Sequence, residues 1–334
     1  MQIKIGRGII DTIGSEAKEI IKGETVVIVS DDIVNSLYGQ STEKALVDAG
    51  FNVETYVIPH GEESKNGETY LKILNFLAGI PLTRADGLVA LGGGVVGDLT
   101  GFVAATYLRG IKVIQVPTTL LAAVDSSIGG KTAINLEAGK NLAGAFHQPS
   151  LVLCDVETLS TLPENIFRDG MAEVIKYGII TDKELFQELK SPGKKNLEDI
   201  IKCCAKIKCD IVEQDQNDTG VRQILNFGHT IGHAIEKASD FQISHGSAVA
   251  KGMAAITKIS YDNGWCNKET YQAVIEILLK YEFDLIIDKK MEELYDIMKS
   301  DKKRKGNIID IVVPLEIGKC QLKRITIEQL KELL

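Results

Sequence analysis

The sequence predicts an α/β N-terminal domain with a parallel, Rossmann-like sheet, followed by a mainly α-helical C-terminal domain. Strand-like and helix-like patterns alternate through the first half of the chain, as they do in βαβ units. A glycine-rich turn directly follows one of the strand-like segments, and long helical patterns dominate after about Pro163. We therefore divide the chain into residues 1–162 and residues 163–334.

The N-terminal elements follow from their side-chain patterns. The run Thr25–Ser30 is rich in β-branched residues, which is typical of a strand buried on both faces. Gly50 ends the helical pattern that follows, and Pro117 ends a later strand. The predicted strands are Met1–Arg7, Thr25–Ser30, Asn52–Ile58, Gly87–Leu91 and Ile111–Val116, and the predicted helices are Val34–Ala49, Leu71–Leu77 and Leu99–Leu108.

The C-terminal half has helical periodicity almost throughout. A single segment, Ile308–Val313, has the pattern of a strand. The predicted helices are Phe167–Lys190, Leu197–Glu213, Leu225–Ala238, His245–Tyr261, Lys268–Lys280 and Met291–Lys299.

The composition restricts the possible partners and the compartment. The formal net charge of -8 argues against nucleic acid as the main partner, although local basic clusters can still bind a small anion. The chain has no uninterrupted apolar run of about 18 residues, so no membrane helix is expected. None of the six cysteines forms a C-x-x-C pair, and we expect reduced thiols in a cytoplasmic protein.

The segment Gly92–Asp98 satisfies the pattern G-x-G-x-x-G after a predicted strand. Glycines allow close approach of a pyrophosphate, and the following helix would offer free N–H groups at its start. The signal is weak by itself, because similar turns also occur for packing. No acidic residue ends the next strand, but Asp31 follows an earlier strand and could meet a ribose hydroxyl.

Polar residues cluster after the next strand. Pro117-Thr118-Thr119 ends it with two hydroxyls, and Asp125–Thr132 combines a carboxylate, hydroxyls, glycines and a lysine. Lys140-Asn141 follows. These segments are either solvated turns or a phosphate or sugar site.

Three of the five histidines lie between residues 229 and 245. His229 and His233 are spaced i, i+4 and would share one face of a helix, and His245 begins the next helix. A catalytic zinc typically takes three protein ligands, and Glu173 is the best carboxylate candidate. The spacing leaves open which histidines bind, and Glu173 could instead pair with Lys176. The glutamate that marks zinc proteases is missing after His229.

Arg222 and Asn226 are also spaced i, i+4, just before the histidines. Together with Lys208 they offer donors that suit a carboxylate or a phosphate. Any one of these residues alone would be interpreted as an ordinary exposed polar side chain. Their position beside the predicted metal site favours substrate binding.

Taken together, these segments resemble the 3-dehydroquinate synthase family of sugar phosphate cyclases. The resemblance covers nearly the whole chain in the right order, and it implies the dehydroquinate synthase-like fold. It rests on Gly92–Asp98, Asp125–Thr132, Gly139–Asn141, Ala172–Gly178, Leu225–Glu236 and His245-Gly246.

The resemblance implies a role for each matching residue. The metal ligands would be Glu173, His229 and His245, holding zinc or cobalt, with His233 left to touch substrate. Catalytic and substrate contacts would come from Arg109, Asp125, Lys131, Asn141, Lys176, Lys208, Arg222, Asn226, His233 and a lysine of Lys302-Lys303. NAD contacts would come from Asp31, Glu62, Lys65, Gly94, Val95, Val96, Gly97, Asp98, Thr118, Thr119, Asp125, Ser126, Lys131, Lys140, Thr158 and Thr161.

The implied reaction converts 3-deoxy-D-arabino-heptulosonate 7-phosphate to 3-dehydroquinate and phosphate in the shikimate pathway. It combines transient oxidation by NAD, phosphate elimination, re-reduction and intramolecular aldol closure. The implied partner is therefore a small anionic sugar-acid phosphate, and the family is typically homodimeric.

Three residues depart from the family pattern, and three other functions compete. Asp218 and Ser247 stand where glutamate is common, and Lys251 stands where a neutral residue is usual. A cyclase of the 2-deoxy-scyllo-inosose synthase type would act on a substrate without a carboxylate. A glycerol-dehydrogenase-like enzyme would release NADH, and a regulator that binds NAD or metal would catalyse nothing.

Overall fold

The computed structural model describes residues 1–191, 196–299 and 307–333, which form two units. The first unit contains Met1–Pro163 and Leu197–Cys209, and the second contains Glu164–Asn196 and Asp210–Leu334. The predicted division after residue 162 treats each domain as one continuous segment. The structure instead assigns Leu197–Cys209, the first part of a helix from the second half of the chain, to the first unit.

The first unit is built on a parallel sheet of six strands in the order β1-β8-β5-β4-β2-β3. Strands β6 and β7 form a separate antiparallel hairpin. Neither this hairpin nor β8 was predicted from the sequence. The strands are β1 Gln2–Gly6, β2 Thr25–Asp31, β3 Asn52–Ile58, β4 Gly87–Gly92, β5 Lys112–Pro117, β6 Lys131–Leu136, β7 Gly139–Phe146 and β8 Leu151–Asp155.

Helices cover both faces of this sheet, so every residue of β4 is buried. Ile13 and Leu46 pack on one face, whereas Ile73 and Leu99 pack on the other. Full burial of each such side chain stabilises the fold by about 1.5–3 kcal/mol. The helices of this unit are α1 Ile13–Ile20, α2 Asp32–Val34, α3 Gln40–Asp48, α4 Gly67–Ala78 and α5 Gly94–Thr106, with a π-helical turn Asn35–Gly39 between α2 and α3.

Helix α5 differs from the predicted helix Leu99–Leu108 at both ends. It begins at Gly94, directly after the glycine-rich turn, and it ends at Thr106. Leu108 and Arg109 have left-handed backbone angles, with φ of 50° and 65°, which a helix cannot contain.

The second unit is mainly helical and carries one antiparallel hairpin, β9 Ile308–Glu316 with β10 Lys319–Thr326. The predicted strand Ile308–Val313 is thus longer than expected, and its partner was missed. The helices are α6 Glu164–Ile180, α7 Lys183–Lys190, α8 Leu197–Gln214, α9 His229–Ala238, α10 His245–Asp262, α11 Lys268–Lys280, α12 Met291–Lys299 and α13 Ile327–Leu333, with the start of α8 belonging to the first unit.

Two predicted helices are interrupted. The predicted helix Phe167–Lys190 breaks between α6 and α7, because the Asp182 carboxylate accepts a hydrogen bond from the Leu185 N–H at 2.8 Å and caps a new helix. The predicted helix Leu225–Ala238 starts only at His229, since Gly228 has φ of 78°. A 3-10 helix, Val221–Asn226, precedes it.

Glycines allow α10 to lie very close to its neighbours α9 and α6. A Cβ atom on Gly252 would come within 2.0 Å of the Gly228 carbonyl oxygen, and one on Gly246 within 2.1 Å of the Asp169 carbonyl oxygen. The close approach leaves little freedom in how these three helices are arranged.

Within the described ranges, no helix is both long enough and apolar enough to cross a membrane.

Gly246→Ala should push α10 away from α6, because the new methyl group meets backbone that cannot rotate aside. We expect a loss of about 1–3 kcal/mol in the free energy of unfolding, seen as a lower midpoint in thermal unfolding. Gly67→Ala is the matched control, since a Cβ atom on this helical glycine meets nothing within 4 Å. Equal stability of the two variants would contradict the packing argument.

Candidate active site

The strand order of the first unit reverses between β2 and β4, which is the place where sheets of this type have their ligand-binding crevice. The chain runs from β2 to β3 on one side of the sheet and from β4 to β5 on the other. Ser30 on β2 lies opposite Leu91 on β4, so Asp31 and Gly92 end neighbouring strands. Open α/β sheets bind ligands at this point, outside the carboxyl ends of the strands.

The glycine turn after β4 brings bare backbone to this crevice. A Cβ atom on Gly93 would lie 2.9 Å from Thr119 Cγ2, and one on Gly94 would lie 3.0 Å from Ser126 Oγ. Helix α5 starts here with no side-chain cap on its N–H groups. A helix start of this kind suits a phosphate group.

Two buried hydroxyls line the same region. Within the part of the chain that the structure describes, neither Thr118 Oγ1 nor Ser126 Oγ has a hydrogen-bond partner. A buried polar atom is rarely left in that state, so these atoms suit a polar ligand such as a dinucleotide. Val95, Val96 and Gly97 form the first turn of α5, and Val96 also packs in the core.

A buried ion pair lies next to the glycine turn. Lys65 Nζ is 2.6 Å from Asp98 Oδ2, and it donates to Asn141 Oδ1 at 2.6 Å. Burial raises the pKa of Asp98, against the opposing charge of Lys65. The carboxylate of Glu62 is close enough to act on the charge of Asp98, and it accepts a hydrogen bond from Asn135.

Three predicted NAD contacts, Asp31, Thr158 and Thr161, make hydrogen bonds within the first unit. The Asp31 carboxylate accepts a hydrogen bond from the Val34 N–H at 2.8 Å and so caps α2. Thr161 Oγ1 lies 2.8 Å from the Tyr38 hydroxyl, and Thr158 Oγ1 donates to a backbone carbonyl at 2.8 Å. Tyr38 was not predicted, since its signal depends on a contact between distant segments.

The remaining predicted residues of the first unit lie on several elements. Lys208 is 5% exposed, and its Nζ is 2.8 Å from Asp125 Oδ1. Lys131 begins β6 and is exposed, whereas Lys140 on β7 is half-buried. Arg109 is exposed at the end of the left-handed segment after α5.

In the second unit, Glu173, His229 and His245 lie together. Glu173 is fully buried on α6, and its Oε1 lies 3.4 Å from His229 Nε2 and 3.5 Å from His245 Nε2. The two histidines are the first residues of α9 and α10. The close packing of these three helices therefore fixes the relative position of the three side chains.

The other ring nitrogen of each histidine is held by the protein. His229 Nδ1 lies 3.1 Å from the Phe227 carbonyl oxygen, and His245 Nδ1 lies 3.2 Å from Glu236 Oε2. Because both partners are acceptors, each Nδ1 carries hydrogen and each Nε2 can present its lone pair towards Glu173. The sequence analysis missed Glu236, although it lies one turn after His233 on the same helix.

This donor set fits a divalent cation. Among the described residues, neither buried oxygen of Glu173 makes a hydrogen bond of normal geometry. One carboxylate and two imidazoles converging on one point are ligands that suit zinc and similar ions. Lys176 forms a close ion pair with Glu173 Oε2 and is itself buried.

The protonation states of the three groups differ. Burial disfavours the charged form of His245, but the neighbouring carboxylates of Glu173 and Glu236 outweigh burial and raise the pKa of His245 to about 10. Burial lowers the pKa of His229. Burial alone would raise the pKa of Glu173, yet Lys176 and His229 hold it well below its usual range. A cation would therefore compete with one proton, on His245.

His233 lies beside this group. Its ring centroid is 5.3 Å from that of His229 and 6.0 Å from that of His245. His233, Glu236 and His245 form a second possible donor set. Glu236 already holds His245 Nδ1, so we favour the set that contains Glu173.

Two of the predicted anion-binding residues, Arg222 and Asn226, lie on the 3-10 helix that precedes Gly228. Arg222 is 2% exposed, and its Nη1 donates to the Gln216 carbonyl at 2.8 Å. Lys302 and Lys303 lie outside the described residues.

The three departures from the family pattern have distinct surroundings. Ser247 lies beside Asp169, whose Oδ1 accepts hydrogen bonds from Ser244 Oγ at 2.5 Å and from the Ser247 N–H at 3.2 Å. Lys251 is buried and forms an ion pair with Asp284 at 2.7 Å. Asp218 has a left-handed backbone, with φ of 57°.

Two family models together match residues 55–304, about three quarters of the chain. Residues 55–169 match the model "3-dehydroquinate synthase N-terminal", and residues 170–304 match the model "3-dehydroquinate synthase C-terminal". The 3-dehydroquinate synthase of Clostridium acetobutylicum is 46% identical over 330 residues, covering 97% of this chain and 93% of the relative. That of Enterococcus faecalis is 45% identical, covering 99% and 95%.

Solved structures of cyclases have the same fold. A 2-deoxy-scyllo-inosose synthase complexed with carbaglucose-6-phosphate, NAD+ and Co2+ has a TM-score of 0.87 at 26% identity, covering 99% of this chain and 95% of that chain. A 2-epi-5-epi-valiolone synthase from Streptomyces hygroscopicus, with NAD+ and Zn2+ bound, has a TM-score of 0.90 at 23% identity, with the same coverage. A probable glycerol dehydrogenase from Sinorhizobium meliloti is more distant, with a TM-score of 0.66 at 14% identity over 99% of this chain and 95% of that chain.

Glu236→Gln should weaken metal binding, because it removes the carboxylate that orients His245 while keeping the shape of the side chain. We expect zinc affinity to fall by about 10- to 100-fold in a competition titration with a chelator. Asp310→Asn, in an exposed ion pair with Arg324, is the control and should leave the affinity unchanged. Unchanged zinc affinity in Glu236→Gln would show that Glu236 does not orient His245 for metal binding.

Metal affinity should also depend on pH. The pKa of His245 is raised to about 10, so below this pH the cation must displace its proton. Apparent zinc affinity should therefore rise by about tenfold per pH unit from pH 7 towards pH 10 and then level off. Titrations with a pH-independent competitor measure this slope, and a flat profile would show that the cation does not displace a proton from His245.

Proposed function

The chain belongs to the 3-dehydroquinate synthase family, and we propose from this premise that it converts 3-deoxy-D-arabino-heptulosonate 7-phosphate to 3-dehydroquinate and phosphate. The reaction would make it an NAD- and metal-dependent, cyclising carbon-oxygen lyase of the shikimate pathway. The observation that supports this most is the convergence of Glu173, His229 and His245 in a chain that is 46% identical to a named 3-dehydroquinate synthase.

Each unit would hold one cofactor. The crevice at Asp31 and the glycine turn would bind NAD, and Glu173, His229 and His245 would bind a divalent metal, with zinc the best match and cobalt an alternative. When bound, NAD supplies a reversible hydride acceptor, and the metal supplies a Lewis acid that lowers the pKa of a coordinated hydroxyl.

The residues around the metal ligands would orient the substrate and move its protons. His233 is half-buried beside His229, so it can hold a substrate hydroxyl and exchange a proton with it at a ring nitrogen. Lys176 keeps a positive charge next to Glu173. That charge would favour a substrate hydroxyl that has lost its proton.

Basic side chains would bind the anionic ends of the substrate. The Arg222 guanidinium is planar and suits a carboxylate, which it can meet with parallel hydrogen bonds. Lys131, Lys208 and Arg109 would collect the phosphate, with Asp125, Asn141 and Asn226 contacting hydroxyls. This set favours a sugar-acid phosphate over the substrate of a 2-deoxy-scyllo-inosose synthase, which has no carboxylate.

We further propose a cytoplasmic homodimer. None of the six cysteines, all of which the structure describes, forms a disulfide bond, which suits a reducing compartment. The dimer is carried over from the family, and size-exclusion chromatography with light scattering would test it.

The proposed reaction is tested by following phosphate and cofactor together. Metal-loaded protein is incubated with the heptulosonate phosphate and an amount of NAD far below the substrate. We expect one phosphate for each 3-dehydroquinate, with no accumulation of NADH. Accumulating NADH would indicate a glycerol-dehydrogenase-like enzyme. Phosphate release from glucose 6-phosphate instead would indicate the 2-deoxy-scyllo-inosose synthase type.

Arg222→Lys keeps the charge but loses the planar group. We expect kcat/KM for the heptulosonate phosphate to fall by about 10- to 100-fold, because a lysine cannot make two parallel hydrogen bonds to a carboxylate. Arg324→Lys changes an exposed arginine that pairs with Asp310 and serves as the control. A similar kcat/KM for the two variants would argue against Arg222 as the carboxylate ligand.

A further inference from the structure

Asn135 occupies a junction between three segments of the first unit. It lies on β6, and its backbone N–H donates to the Lys65 carbonyl at 2.8 Å. This backbone bond joins β6 to the segment that contains Glu62 and Lys65. The bond uses only the backbone of Asn135, and the side chain makes other contacts.

The two ends of the Asn135 amide contact different predicted sites. Its Nδ2 donates to Glu62 Oε1 at 2.7 Å, and its Oδ1 accepts a hydrogen bond from the Asn141 backbone N–H at 2.9 Å. Glu62 is a predicted NAD contact, whereas Asn141 is a predicted substrate contact. One amide group thus connects the nucleotide site with the substrate site.

Both contacted residues need such support. Asn141 has φ of 56°, a left-handed conformation that residues other than glycine adopt at a cost. Its side chain is held by Lys65 Nζ at 2.6 Å, and its backbone N–H is held by Asn135. Glu62 is half-buried, and its hydrogen bond with Asn135 restricts the rotamers of a flexible side chain.

We propose that Asn135 is a positioning residue that orients Glu62 for NAD through its NH2 group and Asn141 for the sugar-acid phosphate through its oxygen. This inference rests on the proposed function, because it takes the roles of Glu62 and Asn141 from there. It predicts that the effect on NAD binding and the effect on substrate binding come from opposite ends of one side chain, so that different substitutions can separate them.

Asn135→Asp separates them. The new carboxylate still accepts a hydrogen bond from the Asn141 N–H, but it repels the Glu62 carboxylate. We expect the Kd for NAD+ in calorimetric titrations to rise about tenfold, while KM for the heptulosonate phosphate at saturating NAD+ stays within about twofold. Asn135→Ala loses both contacts, so it should raise the Kd for NAD+ and the KM for substrate, each by severalfold, with a smaller change in kcat.

The double variant Glu62→Gln/Asn135→Asp tests the first contact by rescue. It reverses the hydrogen bond, because the new amide at position 62 can donate to the new carboxylate at position 135. We expect it to bind NAD+ severalfold more tightly than the two single effects multiplied together would give. Effects that simply multiply would overturn the proposed contact, and an Asn135→Ala variant with unchanged KM for substrate would overturn the second.

The titrations with NAD+ need no turnover, so they remain decisive if the proposed reaction fails. A wild-type protein that binds NAD+ but releases no phosphate would refute the proposed function. In that case, an unchanged Kd for NAD+ in Asn135→Asp would still overturn the inference. A raised Kd in Asn135→Asp would still support it if the double variant binds NAD+ more tightly than the two single effects multiplied together would give.

Discussion

The second unit depends on how one buried carboxylate is compensated. Glu173 has no exposed surface, and an isolated carboxylate in such a place would cost several kcal/mol. Lys176 and the two imidazoles supply the compensation, and they reach it from α6, α9 and α10. Their convergence requires helices in very close contact, which Gly246 and Gly252 allow because neither has a side chain. The chemistry proposed for this unit follows from that packing.

The first unit presents backbone and hydroxyl groups at its predicted nucleotide site. Its crevice lies where the strand order reverses, and Gly93 and Gly94 keep the backbone bare there. Around it, side chains hold one another in place: Lys65 joins Asp98 to Asn141, and Asn135 joins Asn141 to Glu62. Preorganised polar groups of this kind bind a charged ligand without first losing side-chain freedom. In the proposed function, the first unit would bind NAD and the second unit would bind the metal.

Local patterns were most reliable where one physical signal dominated. The predicted bounds of β3, α11 and α12 agree with the structure, since turn residues and caps such as Asn267 flank a clear apolar periodicity. The hairpin of β6 and β7 was missed because its polar residues read equally well as a loop. The break before α7 and the late start of α9 were missed because each depends on a single residue, Asp182 or Gly228, whose effect is conformational.

The fold class, the family and the kinds of ligand atom available could be predicted before folding was considered, because they depend on residue types and their order along the chain. Four contacts emerge only in the folded protein: the ring nitrogen that faces Glu173, the hydrogen bond from His245 to Glu236, the Asp169 cap on α10 and the link that Asn135 makes between two predicted sites. These contacts join residues far apart in the chain or depend on the direction of a side chain. Spacing along the sequence contains neither kind of information until the helices and strands are packed together.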